Sequence, residues 1–161
     1  MATEKLKFKL ELYATMWDEP PVVEIKLNSK SYFKSEITST EQEPTTIEFE
    51  VELEENSEYN LLIERSGKNA KTQTVLNAEG EIIKDQLLHI KNIEIDEIDI
   101  GALVYEAVYT PIYPEPWATQ QHEAGNDLKD SFKNVTALGF NGTWIFKFST
   151  PFYMWLLENL Y

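Results

Sequence analysis

The feature that most limits what this chain can become is an alternation of apolar and polar residues with a period of two, repeated in run after run. In "LKFKLELY", Leu6, Phe8, Leu10 and Leu12 fall at every second position, with Lys7, Lys9 and Glu11 between them. A strand with one face in a core and the other in water has that period, and a helix does not. "VVEIKLN" continues it with Val23, Ile25 and Leu27. "TIEFEVEL" places Ile47, Phe49, Val51 and Leu53 inward and Glu48, Glu50 and Glu52 outward, and "EYNLLIER" follows. In "LLHIKNIEIDEIDI", Leu88 and Ile90 share one phase and Ile93 and Ile95 the other, which predicts a bulge near Lys91 and Asn92.

Short turn-forming stretches separate these runs: "DEPP", "LNSKS", "EENS", "RSGKN" and "NAEGE". Strands spaced at roughly 8 to 15 residues with turns between them predict an all-β antiparallel sandwich. The 161 residues suit one domain. Within it, residues 1–101 are expected to form the sandwich, and residues 102–161 a proline- and aromatic-rich loop with a C-terminal extension that packs on the sandwich or on a partner. In that second part, Pro111, Pro114 and Pro116 punctuate a long connection with a helical turn expected around Ala118 to Ala124. "VTALGF" and "TWIFKF" read as strands joined by a hairpin at Asn141-Gly142. The terminal "PFYMWLLENLY" carries Phe152, Trp155, Leu156 and Tyr161 at helical spacing, as core or as an interface with another subunit.

Charge and missing residue types exclude much chemistry. Twenty-eight acids against 14 Lys and Arg give a net charge of −14, which repels phosphate backbones and argues against a nucleic-acid partner. Without cysteine there is no disulfide, thiol nucleophile or thiolate metal site, and two histidines, His89 and His122, do not suffice for a histidine-rich centre. "MATEKLKFKLELY" has no apolar core of the kind a signal peptide needs, and no run approaches ~20 apolar residues, so neither export nor a membrane span is expected. The sequons at Asn134 and Asn141 are therefore expected to stay unmodified. "SGKNAKT" lacks the first glycine and the helix of a phosphate loop.

Two clusters remain as sites. On a continuous strand Glu94 and Asp96 would share a face about 7 Å apart, and glycoside hydrolysis needs two carboxylates at about 5 to 9 Å. With Glu97 and Asp99 beside them, the plainer reading is a solvated strand face on an acidic protein. No serine or histidine arrangement suggests a nucleophile with its base, and the chain is not expected to be an enzyme. "YPEPWATQQH" gathers Tyr113, Trp117, Gln120 and Gln121, a mixture suited to stacking a sugar ring while amides take its hydroxyls. The same aromatics could instead pin the long loop to the sandwich.

Over residues 6–101, the succession "FKLELYA", "PPVVEIKLNSKSYFKSEIT", "TIEFEVEL", "EYNLLIERSG" and "DQLLHIKNIEID" resembles the small jelly-roll carbohydrate-binding modules that recognise xylan through bound calcium. Asp85, Leu88, His89, Ile90 and Ile93 occupy the places of a segment typical of that family. The resemblance implies a jelly-roll type of sandwich, with Asp85 as a calcium carboxylate. "NAEGEIIK" stands where an acid-rich turn would precede it, leaving Asn77, Glu79 and Glu81 as the further ligands. Through "SGK", "IIKDQLLHI", "IDIGALVYE", "YPEPWATQQ" and the terminal segment, the whole chain also resembles small proteins of marine tailed bacteriophages.

Together these features favour a non-catalytic structural or adhesive module of a phage virion, assembled in the host cytoplasm and acting through contacts with other protein subunits. A glycan-binding module with a polysaccharide partner, with or without calcium, is the alternative. A glycoside-active enzyme ranks third.

Overall fold

The alternating runs become strands in the computed structural model, which describes residues 2–68 and 75–160. They are β1 (Thr3–Thr15), β2 (Val22–Leu27), β3 (Lys30–Glu36), β4 (Thr45–Glu54), β5 (Glu58–Ser66), β6 (Val75–Leu76), β7 (Ile82–Lys84), β8 (Leu87–Ile95), β9 (Ile98–Asp99), β10 (Val108–Pro111), β11 (Ala137–Leu138) and β12 (Gly142–Ser149). A 3-10 helix spans Gly101–Glu106, and two short helices follow, α1 (Trp117–Glu123) and α2 (Phe152–Leu160). One sheet runs β11-β8-β1-β4 with β9 turned back on β8; the other runs β10-β12-β5-β2-β3. All neighbours are antiparallel, and β6 with β7 forms a separate hairpin. The chain is an antiparallel β-sandwich.

The inward phase of each strand makes the core. Leu6, Phe8, Leu10 and Leu12 of β1 are fully buried, as are Ile25, Ile63 and Trp144 of the opposite sheet. Phe8 meets Phe148 across the sandwich at 6.0 Å, and Phe8, Phe49 and Tyr32 stack in series at 5.0 and 4.7 Å to close one edge. The expected bulge lies in β8: Glu11 pairs with Asn92 but Leu12 with Ile90, so Lys91 is the extra residue. It lets Leu88 and Ile90 before it, and Ile93 and Ile95 after it, all point inward.

Three expectations are corrected. Glu94 and Asp96 do not share a strand face, because Asp96 and Glu97 both have positive φ (55° and 68°) and form the two-residue turn between β8 and β9, which sets Glu94 opposite Asp99 instead. Asn141-Gly142 is not a hairpin turn: β11 joins β8 in one sheet while β12 joins β5 and β10 in the other, so these residues cross between layers. The terminal segment turns its apolar side inward. Phe152 is fully buried and Leu156 is 6% exposed, so these two belong to the chain's own core, and the half-buried Trp155 packs against it, meeting Phe146 edge-on at 5.6 Å. Tyr161 lies outside the described residues. Both sheets also cross the division drawn at residue 101, since β10 and β12 extend the second sheet and β11 the first.

The start of α2 is fixed from outside. Glu4 accepts the Phe152 N–H at 3.1 Å, and Thr150 donates to the Glu54 carbonyl at 2.6 Å. Phe152→Ala should therefore cost about 3–5 kcal/mol in urea unfolding; a loss near zero would remove α2 from the core. Lys91→Ala should change stability by less than about 0.5 kcal/mol, and deleting Lys91, the extra residue, should leave cooperative melting by circular dichroism intact, because Ile90, Ile93 and Ile95 then alternate in a single inward phase; loss of the cooperative transition would mean that the bulge itself is required.

Candidate functional site

At the end of the sandwich where β5 finishes and β12 begins, the inward alternation Leu61, Ile63 continues onto a charged residue, Arg65. Its side chain is 2% exposed. Its guanidinium donates to Asn141 Oδ1 at 2.8 Å and to the Gln86 carbonyl at 2.6 Å. Burial pushes its pKa down to about 10, against the opposing influence of Tyr109 and Asp85, so it remains charged at neutral pH. Gly67 follows with φ +92°, and a Cβ there would sit 3.1 Å from the Val22 backbone nitrogen. This turn delivers Lys68 beside Asn141, which accepts the Lys68 N–H at 2.9 Å and donates to its carbonyl at 3.0 Å.

The next residues fix the aromatic part. A Cβ on Gly142 would lie 2.4 Å from the Thr110 carbonyl oxygen, so only glycine lets β12 pass β10 here. The Tyr109 hydroxyl donates to the Phe140 carbonyl and accepts the Phe140 N–H at 3.1 Å. The Phe140 ring then meets Tyr113 edge-on at 5.0 Å and Trp117 at 5.7 Å. Trp117 opens α1, and Tyr113 donates to the Lys129 carbonyl at 2.6 Å, holding the long connection in place.

A cleft of about 400 Å³ lies over this group. Trp117, Phe140 and Pro114 wall one side, with Leu76 and Ile82 of the β6–β7 hairpin also lining it. Lys68 and Asp85 supply its charge, paired at 2.9 Å and exposed by only 7% and 13%. A larger cleft of about 740 Å³ is walled by Leu103, Val108, Ile145, Phe146 and Trp155, with Glu106 and Lys147 also lining it.

The predicted residues divide accordingly. Trp117 lines the cleft and Tyr113 packs behind it on Phe140. Gln120 is exposed on α1, and Gln121 Oε1 accepts from Asn126 at 2.9 Å; neither lines the cleft. Nor do the calcium candidates gather. Asp85 Oδ1 accepts from Lys68 Nζ and from the Gln86 N–H, both at 2.9 Å. Asn77 Oδ1 closes the hairpin turn by accepting the N–H groups of Glu79 (3.0 Å) and Glu81 (2.9 Å), whose side chains are exposed. No three acids or histidines among the described residues are placed to hold a metal, whereas calcium takes six to eight oxygens. The described residues around Asp85 do not assemble a calcium site.

No family model matches the chain, and no curated protein matches it. Among solved structures, the module vCBM60 in complex with galactobiose matches with a TM-score of 0.50 at 10% identity, covering 87% of this chain and 96% of that one. The selenomethionine form of vCBM60, described within a circular-permutation link between two families of calcium-dependent carbohydrate-binding modules, gives 0.45 at 11% identity over 88% and 89%. The sandwich shares its fold with a carbohydrate-binding module. At such identity the likeness reaches the fold and no further.

Lys68, Phe140 and Asn141 were not legible as site residues. Arg65 did leave a signal: an arginine in the inward phase of an alternating strand has to find buried partners.

Tyr109 supplies a pH test. Burial is the main cause that raises its pKa from 10 to about 12, so the folded state holds its proton longer than the unfolded chain. The stabilisation is complete below pH 10 and is lost as pH rises towards 12. Arg65, shifted down, contributes the opposite slope over the same range. Urea melts should therefore show wild type losing on the order of 2 kcal/mol more than Tyr109→Phe across that window; parallel curves would mean that the Tyr109 hydroxyl is not buried in the folded state.

Proposed function

We propose that the protein is a non-catalytic glycan-binding module whose ligand occupies the cleft beside Trp117. One observation carries the reading: an indole and a phenyl ring stand next to a nearly buried Lys68–Asp85 pair in a single cleft. A pyranose needs that combination, with an aromatic face for its C–H groups and charged donors and acceptors for its hydroxyls. The fold shared with vCBM60, solved with galactobiose, supports it. The net charge of −14 disfavours polyanionic chains, so the expected ligand is a neutral glycan. Hydrolysis would require a second carboxylate, and among the described residues Asp85 is the one acid lining the cleft.

A second reading, attachment to protein subunits of an assembly such as a phage particle, is favoured by the outer side of α2. There Met154 and Leu157 stand 60% and 62% exposed.

Affinity electrophoresis against a panel of neutral polysaccharides tests the first reading. Retention should fall at least about tenfold in Trp117→Ala, since a stacking face is worth on the order of 1.5 kcal/mol. Retention unchanged by that substitution would move the ligand elsewhere, and no retention on any polysaccharide would leave α2 as the binding surface to pursue.

A further inference from the structure

Lys68 is surrounded as a bound cation would be. Its ammonium donates to Asp85 Oδ1 at 2.9 Å and to the Gly139 carbonyl, and it lies 5.0 Å from the centroid of the Phe140 ring. A carboxylate, a carbonyl and an aromatic face all favour positive charge at this point. The side chain is 7% exposed, and its backbone is held at both ends by Asn141. Asp85 is also the carboxylate to which the family resemblance assigns calcium. For a divalent ion to bind there, Lys68 would have to withdraw, and the ion would replace one positive charge by two in a region that already contains the buried Arg65 guanidinium.

We propose that Lys68 is the built-in cation of this loop end, standing in for calcium, so that the cleft holds its shape and binds its ligand without a divalent metal. The statement about ligand binding rests on the glycan reading above; the statement about the cation does not. A tethered ammonium has no dissociation step, so the loops at Gly67, Asp85 and Gly139 stay joined at any calcium concentration. Oxygen ligands for a metal are then unnecessary, consistent with Asn77 closing its own hairpin turn.

The test is thermal melting of the whole protein with millimolar calcium, with EDTA and with neither. Three coincident melting temperatures are expected. A saturable rise with calcium, lost in Asp85→Asn, would overturn the proposal, because binding to the folded state must raise the transition. Lys68→Met should lower the melting temperature by several degrees with or without calcium, and Lys68→Arg should recover part of the loss. If Lys68→Met does not fold, the wild-type comparison decides alone. For any polysaccharide that retains the wild type, EDTA should leave retention intact; loss with EDTA and recovery with calcium would also overturn the proposal. Failure to find a retained polysaccharide counts against the glycan reading only, and the melting curves still decide the cation.

Discussion

The loop end of the sandwich depends on one buried charge. A guanidinium in the inward row of β5 loses its water, at an effective cost of several kcal/mol unless protein groups replace it. The replacements come from both sheets: Asn141 stands at the entry to β12, and the Gln86 carbonyl just before β8. Arg65 thereby draws the layers together where the hydrophobic core ends. Among the described residues, Arg65 Nε and Gln86 Oε1 are buried without a hydrogen-bond partner. An apolar residue of similar volume would fill the space with less desolvation. It would not say which loops must meet, and here the meeting of the loops is what makes the cleft.

The far end is closed by different physics. After β12 the chain turns into α2, whose Phe152 and Leu156 continue the aromatic row Trp144, Phe146 and Phe148. Packing of this kind is nondirectional and tolerates variation in residue identity. Between the ends, the outer face of the first sheet is set by register: Lys5, Lys7 and Lys9 of β1 lie opposite Glu52, Glu50 and Glu48 of β4. The exposed pairs add little stability. They do place a row of glutamates on an edge strand, which opposes edge-to-edge pairing with a second copy through like charge.

How far the structure could be read from the residues follows from the range of the forces involved. Period-two alternation is local, so β1, β2, β4, β5, β8 and β12 were legible, and the phase slip exposed the bulge at Lys91. The two-residue turn at Asp96-Glu97 was not, because Glu97 is not a usual choice for positive φ and the run of isoleucines continues through it. Asn141-Gly142 resembles a hairpin locally. Only the strand pairings, β11 with β8 and β12 with β5 and β10, show that it crosses between the sheets. The cleft was half visible: Trp117 stood out as an aromatic in a proline-rich loop, whereas Lys68 is a plain lysine until Asp85 and Gly139 are folded against it.

The same distinction explains how a chain 10% identical to vCBM60 can share its sandwich. Alternation asks only that inward positions be apolar, and Leu, Ile, Val and Phe exchange there at modest cost when volume is conserved. The cleft has no such freedom. Gly67 and Gly142 are required by backbone approaches of 3.1 and 2.4 Å, Asn141 by two donors meeting at one oxygen, and Asp85 by the ammonium it neutralises. A likeness of fold therefore carries none of these residues with it, and the chemistry of the cleft has to be argued from the side chains that this chain places there.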